Sequence, residues 1–195
     1  MLISRDFFDR PSVQVAPDLL GCVLEHQTAA GLVAVELTEV EAYAGEADPA
    51  SHAYHGKTRR NAVMYGPPGH AYVYFTYGMH FCVNLVCLGV GTASAVLLRA
   101  GAVIEGEDLA RGPARLCQAL DIDRSQDGAD VCVTGSPLRV RWPRARTPDR
   151  SEIKAGPRVG IAQAAEVPWR FWLDGEPSVS VYRAHAPKGR KLVTP

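Results

Sequence analysis

Short runs of apolar residues, broken by turn-forming residues, dominate the first half of the chain and predict β-strands. Residues 22–26 and 32–40 flank a turn at residues 29–31, a pattern typical of a β-hairpin. Residues 18–20, just before Gly21, indicate the end of a short helix. Residues 72–76 and 79–88 are rich in β-branched and aromatic residues and are separated by Tyr77 and Gly78. We therefore expect a second hairpin there.

The rest of the chain predicts one helix and several more strands. Pro113 stands at a permitted first-turn position of an amphipathic helix that runs to Leu120. Further strands are expected at residues 95–104, 131–133, 138–142, 159–162, 170–173 and 179–182. Most connections between strands are short, which favours antiparallel pairing over a parallel βαβ arrangement. Glycine and proline are scattered and no repeat is found, so we expect one domain spanning residues 1–195.

The composition places the chain among ordinary globular proteins. It has 195 residues, of which 47% are hydrophobic and 22% charged. The five cysteines form no C-x-x-C pair, so they support neither a disulfide framework nor a four-cysteine zinc site. No apolar run approaches the roughly 18 residues of a membrane span, and the first residues do not resemble a signal peptide. We expect a cytoplasmic protein that has no membrane partner.

The formal net charge is zero, but the basic residues are unevenly distributed. The segment from Arg139 to Arg158 contains seven arginine and lysine residues but only two acidic residues. This segment is either a solvated loop or a surface that contacts phosphates, and the sequence leaves both interpretations open.

Two acidic residues close the predicted strand at residues 32–40. Glu39 and Glu41 share the odd positions of Val33, Val35 and Leu37, so a period of two puts both carboxylates on the same, buried face. A carboxylate in an apolar setting is a candidate general base. The alternative is a pair of solvent-facing carboxylates at a strand end.

Aromatic residues and histidines follow the two glutamates at unusual density. Rings with polar tips offer stacking faces and hydrogen bonds, which is what recognition of an extruded base requires, although a β-sheet core uses the same residue types. Three tyrosines at positions 72, 74 and 77 cannot share one strand face, and Tyr77 in the turn is the best placed to protrude. His52 and His55 have a metal-like spacing but no third ligand accompanies them.

Several of these segments together resemble the alkyladenine, or 3-methylpurine, DNA glycosylase family. The resemblance lies in Glu39-Val40-Glu41-Ala42-Tyr43, His52, Arg60-Asn61, Tyr72-Val73-Tyr74-Phe75-Thr76-Tyr77-Gly78-Met79, Asn84 and Leu97-Leu98-Arg99-Ala100, and it continues more weakly through Gly112-Pro113, residues 116–120 and Pro157-Arg158-Val159-Gly160. It implies a mixed α/β (α+β) fold, with one domain around a curved, mainly antiparallel β-sheet with flanking helices. It also implies a monofunctional base-excision enzyme without metal or organic cofactor.

The same resemblance assigns roles to the reacting centre. It makes Glu41 the general base that deprotonates the water attacking the sugar, with Arg99 near that water. Tyr43, Tyr74 and His52 would form the walls of the base pocket. The substrate would be an alkylated purine such as 3-methyladenine or 7-methylguanine, or deaminated hypoxanthine, in damaged double-stranded DNA. The enzyme would act as a monomer in the cytoplasm, at the nucleoid.

Further positions would contact the DNA outside the reacting centre. Tyr77 would be the wedge that fills the space left by the flipped nucleotide, and Asn84 would exclude normal guanine. Met79 and His80, which flank the wedge, would contact the DNA backbone, although His80 stands at a position where the family has an aromatic residue. A basic N-terminal extension is lacking, so the phosphates would be contacted by arginines elsewhere in the chain, namely Arg59 and Arg60 and, in the basic stretch from Arg139 to Arg158, Arg144 and Arg146.

Two other classes of function remain open from the residues alone. A non-catalytic module could stack single-stranded nucleic acid on the aromatic residues, and its binding would not depend on Glu41. A hydrolase with a metal at His52 and His55 would be inactivated by chelators. Neither alternative explains why Glu41, Asn84 and Arg99 occur at these positions.

Overall fold

A nine-stranded antiparallel β-sheet forms the centre of the structure, a computed structural model that describes residues 1–104 and 109–186. The strands are β1 (Val23–Thr28), β2 (Gly31–Tyr43), β3 (Ala71–Thr76), β4 (His80–Val86), β5 (Ala95–Val103), β6 (Leu109–Arg111), β7 (Leu138–Arg141), β8 (Ile153–Gly156) and β9 (Arg170–Leu173). Their main order is β3-β4-β5-β2-β1-β7. Strand β6 pairs with β5, while β9 pairs with β2 and carries β8.

Among the residues that the structure describes, three short α-helices flank the sheet. They are α1 (Arg5–Phe8), α2 (Ser12–Asp18) and α3 (Pro113–Ala119). Helix α2 packs on β2 and β5, and α3 packs on β4 and β5. The expected α+β fold with a curved antiparallel sheet and flanking helices is confirmed. Within the described part of the chain, no helix is long and apolar enough to cross a membrane.

The main hydrophobic core lies between the helices and one face of the sheet. Helix α3 starts at Pro113, as predicted, and buries Leu116 and Cys117 against β4 and β5. Helix α2 contributes Val15 and Ala16 to the same core. Each fully buried large apolar side chain of this core stabilises the fold by about 1.5–3 kcal/mol, which holds the sheet against the helices.

An irregularity in β2 separates its two halves. Leu37 and Val40 both belong to the main core although their positions differ in parity, and the register of β2 against β5 shifts between them. The alternation of core-facing and outward-facing side chains along β2 therefore shifts by one residue, as it does at β-bulges. Glu39 and Glu41 are fully buried, as expected, but they leave the core face that Leu37 occupies. The expectation that they share a face with Leu37 is wrong, because Thr38 has no partner on β5 in the register and the alternation of faces restarts after it.

The hairpin of β3 and β4 ends in a tight turn at Tyr77 and Gly78. Both residues have positive φ, 51° and 69°, and the Met79 N–H bonds the Thr76 carbonyl over 3.2 Å. Two consecutive positive φ values are required by type I′ turns, which match the twist of hairpin strands. The predicted turn is thus confirmed, with Tyr77 at its tip.

Three predicted strands are absent from the described residues, at 131–133, 159–162 and 179–182. In each of these segments, a side-chain carboxylate accepts a hydrogen bond from one backbone N–H group. Asp130 Oδ1 accepts from the N–H of Cys132, Glu41 from that of Val159, and Glu39 from that of Ser180. Such bonds compete with strand ladders. The short strands β6 and β8 were missed because their sequences carry little β-branched or aromatic character.

Candidate active site

A cavity of about 430 Å³ opens beside β2, β3, β4 and β5. This volume lies in the range typical of small-molecule sites. Eight of the residues singled out from the sequence line it, and they come from four strands, one turn and one loop: Glu41, Tyr43, His52, Tyr74, Tyr77, His80, Asn84 and Arg99. The fold therefore gathers into one concavity side chains that lie up to 58 positions apart in sequence.

Glu41 is fully buried and both of its carboxylate oxygens are held by donors. The backbone N–H of Val159 donates to Oε1 over 2.7 Å, and the hydroxyl of Tyr43 donates to Oε2 over 2.8 Å. Arg99 Nη1 lies 3.3 Å from Oε1. A carboxylate with this set of donors is fixed in orientation, while Oε2, which has one donor, keeps a lone pair that can bind water.

Tyr43 stands between Glu41 and a buried ion pair. Burial and the neighbouring Glu41 carboxylate raise the pKa of Tyr43 well above its usual value of 10.0, so its hydroxyl remains a donor. The guanidinium of Arg158 lies 4.7 Å from the centre of the Tyr43 ring and forms a bidentate salt bridge with Asp48. Both charged side chains of this salt bridge are completely buried. The pair fixes one wall of the cavity.

His52, Tyr72 and Tyr74 form another part of the cavity wall. The rings of His52 and Tyr74 meet edge to face with centres 4.5 Å apart, and His52 Nδ1 lies 3.1 Å from the Tyr72 hydroxyl. Loss of solvent around the ring and the positive charge of Arg60 lower the pKa of His52 from 6.5. The imidazole is therefore neutral near pH 7. A neutral ring among electron-rich phenols suits a flat cationic ligand.

Asn84 combines a structural bond with a position in the cavity wall. It is 5% exposed, and its Nδ2 donates to the carbonyl of Tyr72 on the neighbouring strand over 3.0 Å. This bond is the backbone-completing role typical of buried amides. The same bond fixes the orientation of the amide, so Asn84 presents a constant outline to whatever enters the cavity.

Tyr77 projects from the hairpin tip with 82% of its surface exposed, and it reaches the mouth of the cavity. Met79 is 65% exposed and lines a second cavity of about 290 Å³. His80 lines both cavities. An exposed aromatic ring at a rigid turn is free to contact another molecule, because it takes no part in packing the core.

The basic residues expected to contact phosphate divide into two groups. Arg59 and Arg60 are exposed near the cavity, where the Arg60 guanidinium lies 5.7 Å from the centre of the Tyr74 ring. Arg144 and Arg146 follow β7, which is the strand farthest from β3 in the main sheet order. Arg146 forms two bonds with Glu152, at 2.6 and 2.5 Å.

The basic segment from Arg139 to Arg158 is largely paired within the protein. Arg141 bonds Glu25, Arg150 bonds Asp18 and Lys154 approaches Asp174. Arg158 is only 1% exposed, so it cannot belong to a phosphate-binding surface. The positive excess that the sequence shows is thus reduced at the surface by acidic residues from other parts of the chain.

The two histidines with metal-like spacing have different surroundings. His52 bonds Tyr72 at the cavity, whereas His55 packs against the ring of Tyr54 with centres 4.8 Å apart. Across residues 1–104 and 109–186, no group of three or more histidine, cysteine, aspartate or glutamate side chains is arranged to hold a metal ion.

Sequence reasoning missed several residues that shape the site. The N–H of Val159 was not anticipated as a donor to Glu41, because a main-chain group leaves no mark in the sequence. Tyr72 was named only as one of the aromatic residues, and its hydrogen bond to His52 was not predicted. Cys82, which lines the cavity beside Tyr74, was not predicted as part of the site. The motif Pro157-Arg158-Val159-Gly160 was the available signal for the loop that closes on Glu41.

Comparisons with known proteins agree on one family. The model of the family described as "Methylpurine-DNA glycosylase (MPG)" matches residues 6–177. A protein of Streptomyces avermitilis is 52% identical over 97% of this chain and 95% of its own length. Proteins of Leifsonia xyli subsp. xyli and Methanocella arvoryzae are 49% and 45% identical, over 93% and 92% of this chain and 92% and 96% of their own lengths. All three carry the name "Putative 3-methyladenine DNA glycosylase".

Proposed function

The chain belongs to the methylpurine-DNA glycosylase family, and on this basis we propose how its cavity acts on damaged DNA. The protein is a monofunctional DNA N-glycosylase of DNA repair, and DNA is its substrate. It flips alkylated purines, 3-methyladenine and 7-methylguanine, out of the duplex and hydrolyses the bond between base and sugar, leaving an abasic site. Hypoxanthine is a further candidate substrate.

The observation that carries this proposal is the placement of Glu41. It is a fully buried carboxylate with fixed orientation in the wall of an aromatic cavity large enough for a purine. A general base needs to reach the proton of a water that stands beside the reacting carbon. A nucleotide turned into the cavity would bring its sugar to the mouth and its base between the rings.

The aromatic walls favour a base that is already positively charged. Alkylation at N3 or N7 makes a purine cationic, so it leaves the sugar without being protonated. The phenol rings of Tyr43 and Tyr74 attract such a cation, and neutral His52 adds no opposing charge. Glu41 takes the proton of the attacking water, while Arg99 helps to hold that water. A cationic leaving group therefore needs only one carboxylate.

A neutral base such as hypoxanthine presents a harder case. Its departure requires an acid, and Glu41 is the one carboxylate among the described residues that line the cavity. The hydroxyl of Tyr43 stays protonated and donates to Glu41, so it is already engaged. We therefore expect faster release of alkylated purines than of hypoxanthine.

Flipping requires a group that fills the vacated space. Tyr77 at the hairpin tip is exposed and reaches the cavity mouth, so its ring can enter the base stack while the damaged nucleotide enters the cavity. The insertion compensates for the few kcal/mol that unstacking costs. Arg59 and Arg60, beside the cavity, are placed to bind the adjacent phosphates.

Single-turnover base release tests the proposal. The enzyme, in excess, is mixed with a duplex carrying one 7-methylguanine, and free base and abasic sites are counted over time. We expect both products in equal amounts, no release from undamaged duplex, and no strand cleavage until alkali is added. Tight binding with no release would instead identify a non-catalytic module, and loss of activity with chelators would point to a metal-dependent hydrolase.

A further inference from the structure

Glu39, two residues before Glu41 on β2, has an unusually complete set of partners. It is fully buried and does not line the cavity. It accepts hydrogen bonds from Arg99 Nε at 2.8 Å, from Arg170 Nε at 2.6 Å, and from the N–H and hydroxyl of Ser180 at 2.7 and 2.9 Å. A buried carboxylate that accepts four hydrogen bonds and lies outside the cavity is not available to exchange a proton with a bound substrate.

Arg99 connects this buried carboxylate to the cavity. Its Nε bonds Glu39, its Nη1 faces Glu41 Oε1 at 3.3 Å, and its Nη2 lies 3.4 Å from the Ser180 hydroxyl. A guanidinium is planar, so a short bond at Nε fixes the direction of both terminal nitrogens. Glu39, which lies outside the cavity, therefore determines the orientation of the Arg99 guanidinium inside it.

The four charged groups also balance one another. Glu39 and Glu41 carry two negative charges, and Arg99 and Arg170 carry two positive ones. Removing the charge of Glu39 would leave an excess positive charge beside the cavity. Glycosidic hydrolysis passes through a transition state with positive charge on the sugar, which such an excess would oppose.

We propose that Glu39 is a positioning residue for base excision, which holds Arg99 with its Nη1 directed at Glu41 and neutralises the second arginine behind it. This inference rests on the proposed function, since it assigns Arg99 a task in the reaction. Arg170 supports the arrangement by stacking on Trp172, with its guanidinium 4.6 Å from the ring centre, and by bonding the Ser180 carbonyl. Glu39 acts through Arg99 and does not touch the substrate.

The test compares Glu39→Gln with Glu25→Gln. Glu25 is also buried and bonds an arginine, Arg141, over 2.7 Å, but it lies on β1 and does not line the cavity. We expect Glu39→Gln to lower the single-turnover rate constant on 7-methylguanine duplex by about 10- to 100-fold through misplacement of Arg99. Its affinity for that duplex should stay near the wild-type value. Glu25→Gln should lower stability but leave the rate constant within about twofold, because distant sites act independently.

A double-mutant cycle separates positioning from a structural role. In an Arg99→Gln background, Glu39→Gln should cost less than about threefold in rate, because the group through which it acts is gone. An equal loss in both backgrounds would overturn the proposal, as would a wild-type rate for Glu39→Gln. If Glu39→Gln does not fold, Glu39→Asp, which keeps the charge but is too short to reach Arg99 Nε, replaces it and should be slowed in the same direction. An inactive wild-type enzyme would refute the proposed function, whereas an active one with an unaffected Glu39 variant would refute only the role of Glu39.

Discussion

The backbone N–H of Val159 donates a hydrogen bond to Glu41 Oε1 over 2.7 Å, although 118 positions separate the two residues. The loop after β8 thereby closes on the end of β2 and fixes the carboxylate from one side, while Tyr43 fixes it from the other. In the proposed reaction, a carboxylate held in this way needs no rearrangement when it takes a proton from water, and such preorganisation is a main source of catalytic power.

The first prediction concerns the proton acceptor. Glu41→Gln keeps the shape of the side chain but cannot take a proton, so the single-turnover rate of base release should fall by roughly 10²- to 10⁴-fold. Affinity for the damaged duplex, measured by fluorescence anisotropy, should be retained. A reduction smaller than about tenfold, equivalent to about 1.4 kcal/mol of barrier, would exclude Glu41 as the general base.

The second prediction concerns the hairpin tip. Tyr77→Ala should slow excision from paired lesions more than from mispaired lesions, because a mispaired base is already partly unstacked. Tyr77→Phe retains the ring and should behave like the wild-type enzyme. The thermal stability of both variants should be unchanged, since this side chain is 82% exposed. Equal reductions on paired and mispaired lesions would contradict a role as a wedge.

The third prediction concerns discrimination against guanine. Asn84→Ser shortens the cavity wall and should raise the release of normal guanine relative to alkylated adenine, because it removes a clash with the exocyclic amino group. It also removes the bond to the Tyr72 carbonyl, which should cost about 1 kcal/mol of stability. A lower stability with an unchanged ratio of the two products would leave Asn84 with its structural role alone.

The fourth prediction separates the two groups of arginines. Replacing Arg59 and Arg60 with alanine should reduce the slope of log affinity against log salt concentration by roughly 0.9 for each phosphate that the variant no longer neutralises. Replacing Arg144 and Arg146 should do the same if the segment after β7 also binds DNA. An unchanged slope in the variant without Arg144 and Arg146 would identify that segment as a solvated loop. Arg146 would then only form its salt bridge with Glu152.

The fifth prediction concerns acid stability. Burial would raise the pKa of Glu39, but Arg99, Ser180 and Arg170 outweigh burial and lower it from 4.5. Since the folded pKa lies below the unfolded one, the ionised carboxylate stabilises the fold above pH 4.5, and this contribution is lost as the pH falls through the folded pKa. In urea titrations, the wild-type advantage over Glu39→Gln should therefore shrink as the pH is lowered from neutral to well below 4.5. A difference that stays constant over this range would show that Glu39 contributes no pH-dependent stability.

Local patterns in the sequence were enough to predict much of the fold. Both hairpins, the helix that begins at Pro113 and the strand at Arg170–Leu173 follow from alternation and turn residues, which act over a few positions. The bulge in β2 could not be predicted, because it depends on how Leu37 and Val40 meet β5. The segments near Val159 and Ser180 were assigned as strands because their apolar residues resemble strand patterns, whereas buried glutamates from β2 bind their N–H groups.

The candidate site was predicted to a similar extent. Residue types and the family resemblance pointed to a set of residues before any geometry was known, and eight of them line one cavity: Glu41, Tyr43, His52, Tyr74, Tyr77, His80, Asn84 and Arg99. The partners that orient them were not predicted. Arg170 and Ser180 reach Glu39 only through the tertiary fold, and Asp48 pairs with Arg158 across 110 positions of sequence.

The contacts of Ser180 fix how far along the chain the functional unit extends. The family match ends at residue 177, yet the N–H and hydroxyl of Ser180 supply two of the four donors to Glu39, and the carbonyl of Arg183 accepts from the N–H of Gly160 in the loop that closes on Glu41. A chain cut at residue 177 would keep every described residue that lines the cavity, but it would lose the two bonds that Ser180 donates to Glu39, the residue that bonds Arg99. We therefore expect a chain that extends through Arg183 to hold Glu39 and the loop at Gly160 more firmly than one that ends at residue 177.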